Sequence, residues 1–119
     1  MITRILIVED DEDLRALAVK VLTRRGYEVS VAGDGSAGVE RALADNTDLV
    51  LMDLQLPLVD GCEATRRIKA AKPHLPVVAC SANVMQADVE RAHVAGCDAF
   101  LGKPYQVAQL LSTISRFES

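Results

Sequence analysis

Carboxylates gather at two places in this chain of 119 residues, and each place follows an apolar run. Asp53 ends Leu49-Val50-Leu51-Met52, and Glu9 and Asp10 follow Ile5-Leu6-Ile7-Val8. Four consecutive large apolar residues without alternation read as a parallel strand covered on both faces. Asp48 before the Asp53 run and Pro57 after it favour a strand over a buried helix segment. In open parallel sheets a ligand sits beyond the carboxyl ends of the strands, where strand order reverses, so acids at strand tips stand where chemistry occurs. Three carboxylates in one cleft repel by roughly 3 to 4 kcal/mol per close pair at an effective dielectric near 20, so something cationic must bind there. Hard oxygen ligands with room for waters and a phosphate oxygen are the pattern of Mg2+, with Mn2+ as the alternative, rather than of a closed Ca2+ or Zn2+ site. The backbone carbonyl of Gln55 offers a further oxygen.

Two more residues belong to the same edge. Ser81 follows the apolar run Val77-Val78-Ala79-Cys80, and Lys103 follows Ala99-Phe100-Leu101-Gly102. A carboxylate nucleophile, a metal beside it, a lysine and a hydroxyl are the parts needed to stabilise a phosphoryl group in flight, where positioning and electrostatics dominate. Each has a bland alternative: acids as charges at a helix N-terminus, Lys103 as a solvated loop residue, Ser81 as a turn residue. Their placement at four strand tips in order argues against four separate coincidences.

The elements that must position these groups alternate. After the first strand, Leu14, Leu17, Ala18, Val21 and Leu22 form the stripe of an amphipathic helix closed by Gly26. Tyr27 to Ala32 alternates weakly, as an edge strand does, and a short helix is predicted from about Ser36 to Ala44. Beyond the Asp53 strand, Asp60-Gly61 reads as a turn, and Ala64, Ile68 and Ala71 line a helix ended by Pro73 and Pro76. A fourth strand, Pro76 to Cys80, precedes a weakly amphipathic helix with Met85, Val89 and Ala92. Asp98 to Leu101 is a short fifth strand and Gly102-Lys103-Pro104 a turn. The last helix carries Val107, Leu110, Leu111 and Ile114. Strict alternation implies a parallel sheet with right-handed crossovers and helices on both faces. The expected architecture is a flavodoxin-like three-layer (βα)5 sandwich with strand order 2-1-3-4-5, which puts Glu9, Asp10 and Asp53 together at the switch point.

Composition narrows the function classes. A chain of this length is one domain, 1–119, with any output activity lying elsewhere. The apolar runs are far shorter than a membrane span. Met1-Ile2-Thr3-Arg4 runs straight into a strand, so no signal peptide and a cytoplasmic location are expected. The formal charge of −4 makes no electrostatic case for nucleic acid or an anionic membrane. Cys62, Cys80 and Cys97 are odd in number and lack CxxC spacing, so buried free thiols are expected.

Five stretches, Ile5 to Asp11, Met52 to Gly61, Ser81-Ala82-Asn83, Ala95 to Leu101 and Lys103-Pro104, occur in the order seen in the receiver domains of bacterial two-component response regulators. The chain resembles that family over its whole length. The region from Gln55 through Arg67 and Ser81-Ala82-Asn83 looks more like receivers of hybrid kinases and single-domain phosphorelay regulators than like those fused to DNA-binding domains. The resemblance implies that Asp53 accepts a phosphoryl group from the phosphohistidine of a sensor histidine kinase or phosphotransfer protein. It further implies that Asp10, Asp53 and the Gln55 carbonyl hold Mg2+, with Glu9 acting through water. Ser81 and Lys103 hold the phosphoryl oxygens, and Phe100 turns inward as Ser81 moves. Gln55 and Asn83 flank the phosphoryl group and tune its lifetime. A cis Lys103–Pro104 bond, a downstream protein target on the fourth helix, fifth strand and fifth helix, and a monomer that dimerises at most on phosphorylation complete the expectation. Such a domain is a signalling phosphoacceptor, catalysing only its own phosphorylation and dephosphorylation.

Three other readings compete. Gly33-Asp34-Gly35-Ser36-Ala37-Gly38 matches G-x-G-x-x-G, but it follows an edge strand in a domain without a second half to seat a dinucleotide. An aspartyl phosphohydrolase needs a second acid two residues after its nucleophile, and Gln55 is not one. A receiver-like protein-binding module that is never phosphorylated usually lacks one of the acids or the lysine, and here all are present.

Overall fold

The structure, a computed structural model, describes residues 2–44 and 46–118; Met1 and Ser119, the limits of the expected domain, lie outside the described residues. Strands and helices alternate as β1 (Arg4–Val8), α1 (Glu12–Arg24), β2 (Glu28–Ala32), α2 (Gly35–Ala44), β3 (Leu49–Asp53), α3 (Gly61–Ala71), β4 (Val77–Ser81), α4 (Gln86–Ala95), β5 (Ala99–Gly102) and α5 (Val107–Ser115). All strand pairings are parallel, in the order β2-β1-β3-β4-β5. The flavodoxin-like sandwich and its strand order are those expected from the sequence.

The unbroken apolar runs have a direct cause. Leu6, Val8, Val50, Met52, Val77 and Ala79 point to one face, where they meet Ala42, Ala64, Ile68, Ala92 and Ala95 from α2, α3 and α4. Ile5, Ile7, Leu49, Leu51, Val78 and Cys80 point to the other, where they meet Ala18 and Leu22 of α1 and Leu110 and Ile114 of α5. A strand covered on both faces has no side to give to polar residues. The cysteines are free and buried as expected, and burial pushes the Cys80 thiol up to about 12 and that of Cys97 to about 11. Such thiols are inert as nucleophiles.

Several local expectations are corrected. Leu14 and Leu17 are 43% and 55% exposed, so only Ala18 and Leu22 of the α1 stripe are buried. Ala71 is exposed, because Cys62 and Thr65 complete the inner face of α3 instead. Asp60 is the N-cap of α3, its carboxylate accepting the Glu63 N–H, and Gly61 is the first helical residue. Gly102 ends β5 as the partner of Ser81. Asp98 stands before β5, where Oδ2 accepts from the Val77 N–H and from Lys69. The thin stripe expected of α4 is present: Ala92 and Ala95 are buried, while Met85 is 73% exposed.

The glycine motif is a packing device. A Cβ at Gly35 would overlap the carbonyl oxygen of Val59, and one at Gly38 would press on the Val8 methyls at 2.9 Å. The small residues let α2 settle on β1 and on the loop that follows Asp53. In that loop Leu58 adopts φ 67 and is 87% exposed. A leucine in the left-handed region is strained by roughly 1 to 2 kcal/mol, and its exposed side chain recovers little of that through packing.

These two positions predict opposite results in urea unfolding. Gly35→Ala should lose about 3 kcal/mol, because backbone on both sides must move. Leu58→Gly should gain about 0.5 kcal/mol, relief of strain outweighing the greater freedom of the unfolded glycine. An unchanged midpoint for both variants would contradict the close approach and the strain.

Candidate functional site

Parallel register brings the reactive tips together. Val8 of β1 pairs with Met52 of β3, so Glu9 and Asp53 emerge side by side. Asp53 pairs with Cys80, and Ser81 with Gly102, so Ser81 and Lys103 follow on the adjoining strands. The Lys103 N–H donates to the Ser81 carbonyl at 2.8 Å, and Lys103–Pro104 is cis, as expected. Gly61 lies against the backbone of Asp53 and Leu54, where any side chain would collide with the Asp53 carbonyl.

Glu9, Asp10 and Asp53 each present a carboxylate oxygen within 4.8 Å of the others. Glu9 and Asp53 are buried and Asp10 is exposed. Lys103 reaches into the cluster, its Nζ 2.6 Å from Glu9 Oε1 and 3.3 Å from Asp53 Oδ2. The Asp11 N–H donates to Glu9 Oε2 at 3.3 Å, and the Gln55 N–H to Asp53 Oδ1 at 3.0 Å. Arg15 anchors the turn from α1 by donating to the Glu9 carbonyl at 3.1 Å.

The electrostatics follow from this crowding. Burial raises the pKa of Asp53, and hydrogen bonding with Glu9 raises it further, to about 7, against the lowering effect of the Gln55 N–H and Lys103. Burial also acts to raise Glu9, but its hydrogen bonds with Asp53 and Lys103 outweigh that and hold it below the usual carboxylate range. For Lys103 burial disfavours the ammonium, yet Glu9 and Asp53 overcome this and hold its pKa above the ordinary value. One ammonium facing two buried acids leaves one negative charge in excess, and Asp53 meets it by keeping a proton near neutral pH. An oxygen-only donor set of this kind fits a hard divalent cation, which would take the proton's place.

Ser81 is fully buried. Its Oγ lies 2.8 Å from Gln55 Nε2 and 3.1 Å from Gln55 Oε1, and accepts from the Asn83 N–H at 3.0 Å. The sequence placed Gln55 and Asn83 beside the site but did not show that both engage Ser81, since a side-chain rotamer leaves no trace in residue spacing. Phe100 is partly buried against the core on the α4 side. Sequence reasoning also missed a cavity of about 370 Å3 beside the acids, lined by Leu14, Leu17, Val21, Pro104, Tyr105 and Val107 and bordered by Glu9 and Lys103. The wide apolar stripe of α1 was its signal, since a helix with more apolar residues than it can bury leaves some outside.

Comparison with known proteins agrees with this geometry. The response regulator receiver domain family matches residues 5–115. The polar-differentiation response regulator DivK of Brucella ovis is 35% identical, the alignment covering 98% of this chain and 97% of DivK. The hybrid signal transduction histidine kinase G of Dictyostelium discoideum is 37% identical over 96% of this chain, which spans only 4% of that kinase. Among solved structures, the receiver domain of the sensor histidine kinase PA1611 from Pseudomonas aeruginosa superposes with a TM-score of 0.90, at 34% identity and 98% coverage of each chain. That structure has a magnesium ion coordinated in its active-site cleft. The chemotaxis protein CheY4 of Vibrio cholerae shares the fold, with a TM-score of 0.92 at 23% identity, over 98% of this chain and 99% of that one. With the family matched over residues 5–115 and a relative 35% identical over nearly its whole length, this chain belongs to the response regulator receiver domains of two-component systems.

Proposed function

We propose that residues 1–119 form a phosphoacceptor receiver in which Asp53 takes a phosphoryl group from a phosphohistidine in a Mg2+-dependent reaction. The observation that carries the reading is the meeting of Glu9, Asp10, Asp53 and Lys103 at one sheet edge. An Asp53 oxygen forms the new bond to phosphorus as the bond to the donor imidazole nitrogen breaks, and the freed imidazole takes a proton from solvent. Asp10, Asp53 and the Gln55 carbonyl would hold the cation directly, with Glu9 acting through water. When bound, Mg2+ supplies charge neutralisation for the acids and the phosphoryl oxygens. The donor set suits Mn2+ as well, and the magnesium in the PA1611 receiver favours Mg2+. Lys103 already lies beside Asp53 and would hold one phosphoryl oxygen, while the Ser81 hydroxyl would move to another. Phe100 would then turn inward and alter the α4-β5-α5 face for a downstream protein target, with dimerisation on phosphorylation as one outcome. Gln55 and Asn83, two residues beyond Asp53 and Ser81, would border the path of the water that ends the signal. Neither is an acid that could act as a general base, so hydrolysis proceeds without strong base assistance.

Exposed Leu14 and Leu17, with the cavity between α1 and the start of α5, form an apolar surface bordered by Glu9 and Lys103 of the acid cluster. In this reading the surface receives the helices of the phosphodonor. Arg15 of the same helix donates to the Glu9 carbonyl, and Ala18, packed in the core, lines the cavity.

Four outcomes follow. Acetyl phosphate with Mg2+ should label wild-type protein, and neither Asp53→Asn nor chelator-treated protein should take the label; undiminished labelling of Asp53→Asn would falsify the site. In the same assay Asn83→Ala should change the decay of the label several-fold, since one hydrogen bond to the attacking water is worth about 1 kcal/mol. Calorimetry should show Mg2+ binding tightening as pH rises through about 7, with proton release below that value, because the cation displaces the proton on Asp53. Binding independent of pH between 6 and 8, an interval of about one unit either side of that value, would contradict a protonated Asp53. Finally, Leu17→Lys should slow transfer from a phosphohistidine donor by at least about tenfold, the effect of 1.4 kcal/mol, while leaving acetyl phosphate labelling intact. Equal loss from both donors would place Leu17 outside the docking surface.

A further inference from the structure

We infer that the Gln55 side chain is a latch that opposes activation, its amide competing with the phosphoryl group on Asp53 for the Ser81 hydroxyl. The inference rests on the phosphoacceptor reading and adds a residue that resists the switch. A serine hydroxyl offers one donor and two acceptor sites. The Asn83 N–H, at 3.0 Å, occupies one acceptor. The Gln55 amide brings Nε2 to 2.8 Å and Oε1 to 3.1 Å of the same oxygen, so the side chain holds the hydroxyl either by donating to it or by accepting its proton. Ser81 is fully buried beneath these partners. Either contact holds Ser81 Oγ at Gln55, and the hydroxyl must leave that amide to donate to a phosphoryl oxygen.

The two ends of the latch differ in what release means for them. Gln55 is largely exposed, and its amide passes to water once Ser81 leaves. Ser81 must exchange one buried partner for another, and a phosphoryl oxygen is a stronger, charged acceptor. The balance thus favours release when the phosphoryl group is present and retention when it is absent. The Gln55 backbone is held separately, its N–H on Asp53 Oδ1 at 3.0 Å, so the side chain can be changed without moving the carbonyl proposed to meet the cation. Gln55 acts here as a positioning residue, through Ser81 and not through the reacting atoms.

The test uses beryllofluoride, a mimic of the aspartyl phosphoryl group, titrated at saturating Mg2+ and followed by amide chemical shifts. Gln55→Met, which keeps the length and loses the amide, and Gln55→Ala should each tighten beryllofluoride binding by about fivefold, the effect of one neutral hydrogen bond. In a Ser81→Ala background the same changes should have no effect, because the hydroxyl they release is gone. Unchanged or weaker binding in the single variants overturns the latch, as does a gain that survives without Ser81. Folded wild-type protein that takes up no beryllofluoride would sink the phosphoacceptor reading as well, whereas normal uptake with no Gln55 effect removes the latch alone.

Discussion

Two buried carboxylates, Glu9 and Asp53, face a single ammonium, Lys103, and the sheet edge is built around that imbalance. Lys103 stands closer to Glu9 than to Asp53; Glu9 is held below the usual carboxylate range, while burial and the hydrogen bond with Glu9 raise the pKa of Asp53 to about 7. In the proposed reading a cation would remove the need for a proton on Asp53 and leave it in the ionised form that would attack phosphorus. The excess of negative charge at this cluster is thus the property that, in the proposed reading, would favour a divalent cation followed by a phosphoryl group.

Holding like charges together requires a support that does not yield, and the sheet supplies it. β1, β3 and β4 are covered on both faces, and their tips are set by backbone register rather than by loop packing. Gly61 presses α3 onto the Asp53 backbone, and the capping of α3 by Asp60 fixes the direction in which the loop leaves the site. The same logic explains the crowded Gly35, which lets the start of α2 lie against Val59 in that loop.

The side toward α4 is built differently. Only alanines of α4 are buried, its N-cap residue Met85 makes no side-chain cap, and Val84 leans over Gly102 of β5 while remaining more than half exposed. Little packing free energy resists a shift of this segment, and it begins directly after Ser81, whose hydroxyl is the group proposed to change partner. Rigid acids and a loosely held neighbour, joined through one serine, are the physical basis on which the proposed switch would turn a local charge event into a change of surface.

Much of this was legible in the residues alone. Ile5 to Val8, Leu49 to Met52 and Val77 to Cys80 declare buried parallel strands because nothing polar interrupts them, and the alternation with amphipathic stripes settles the layer order. Glu9, Asp10, Asp53, Ser81 and Lys103 could be placed at one edge because residues at the carboxyl ends of parallel strands have nowhere else to go. Tertiary structure alone decided that Leu14 and Leu17 stay outside the core, that Ala71 yields its place to Cys62 and Thr65, and that Gln55 grips Ser81. Periodicity reports which face of an element is apolar, whereas the fraction of that face actually covered depends on the neighbouring helix, and a side chain's hydrogen-bond partner depends on rotamers chosen after the strands have met.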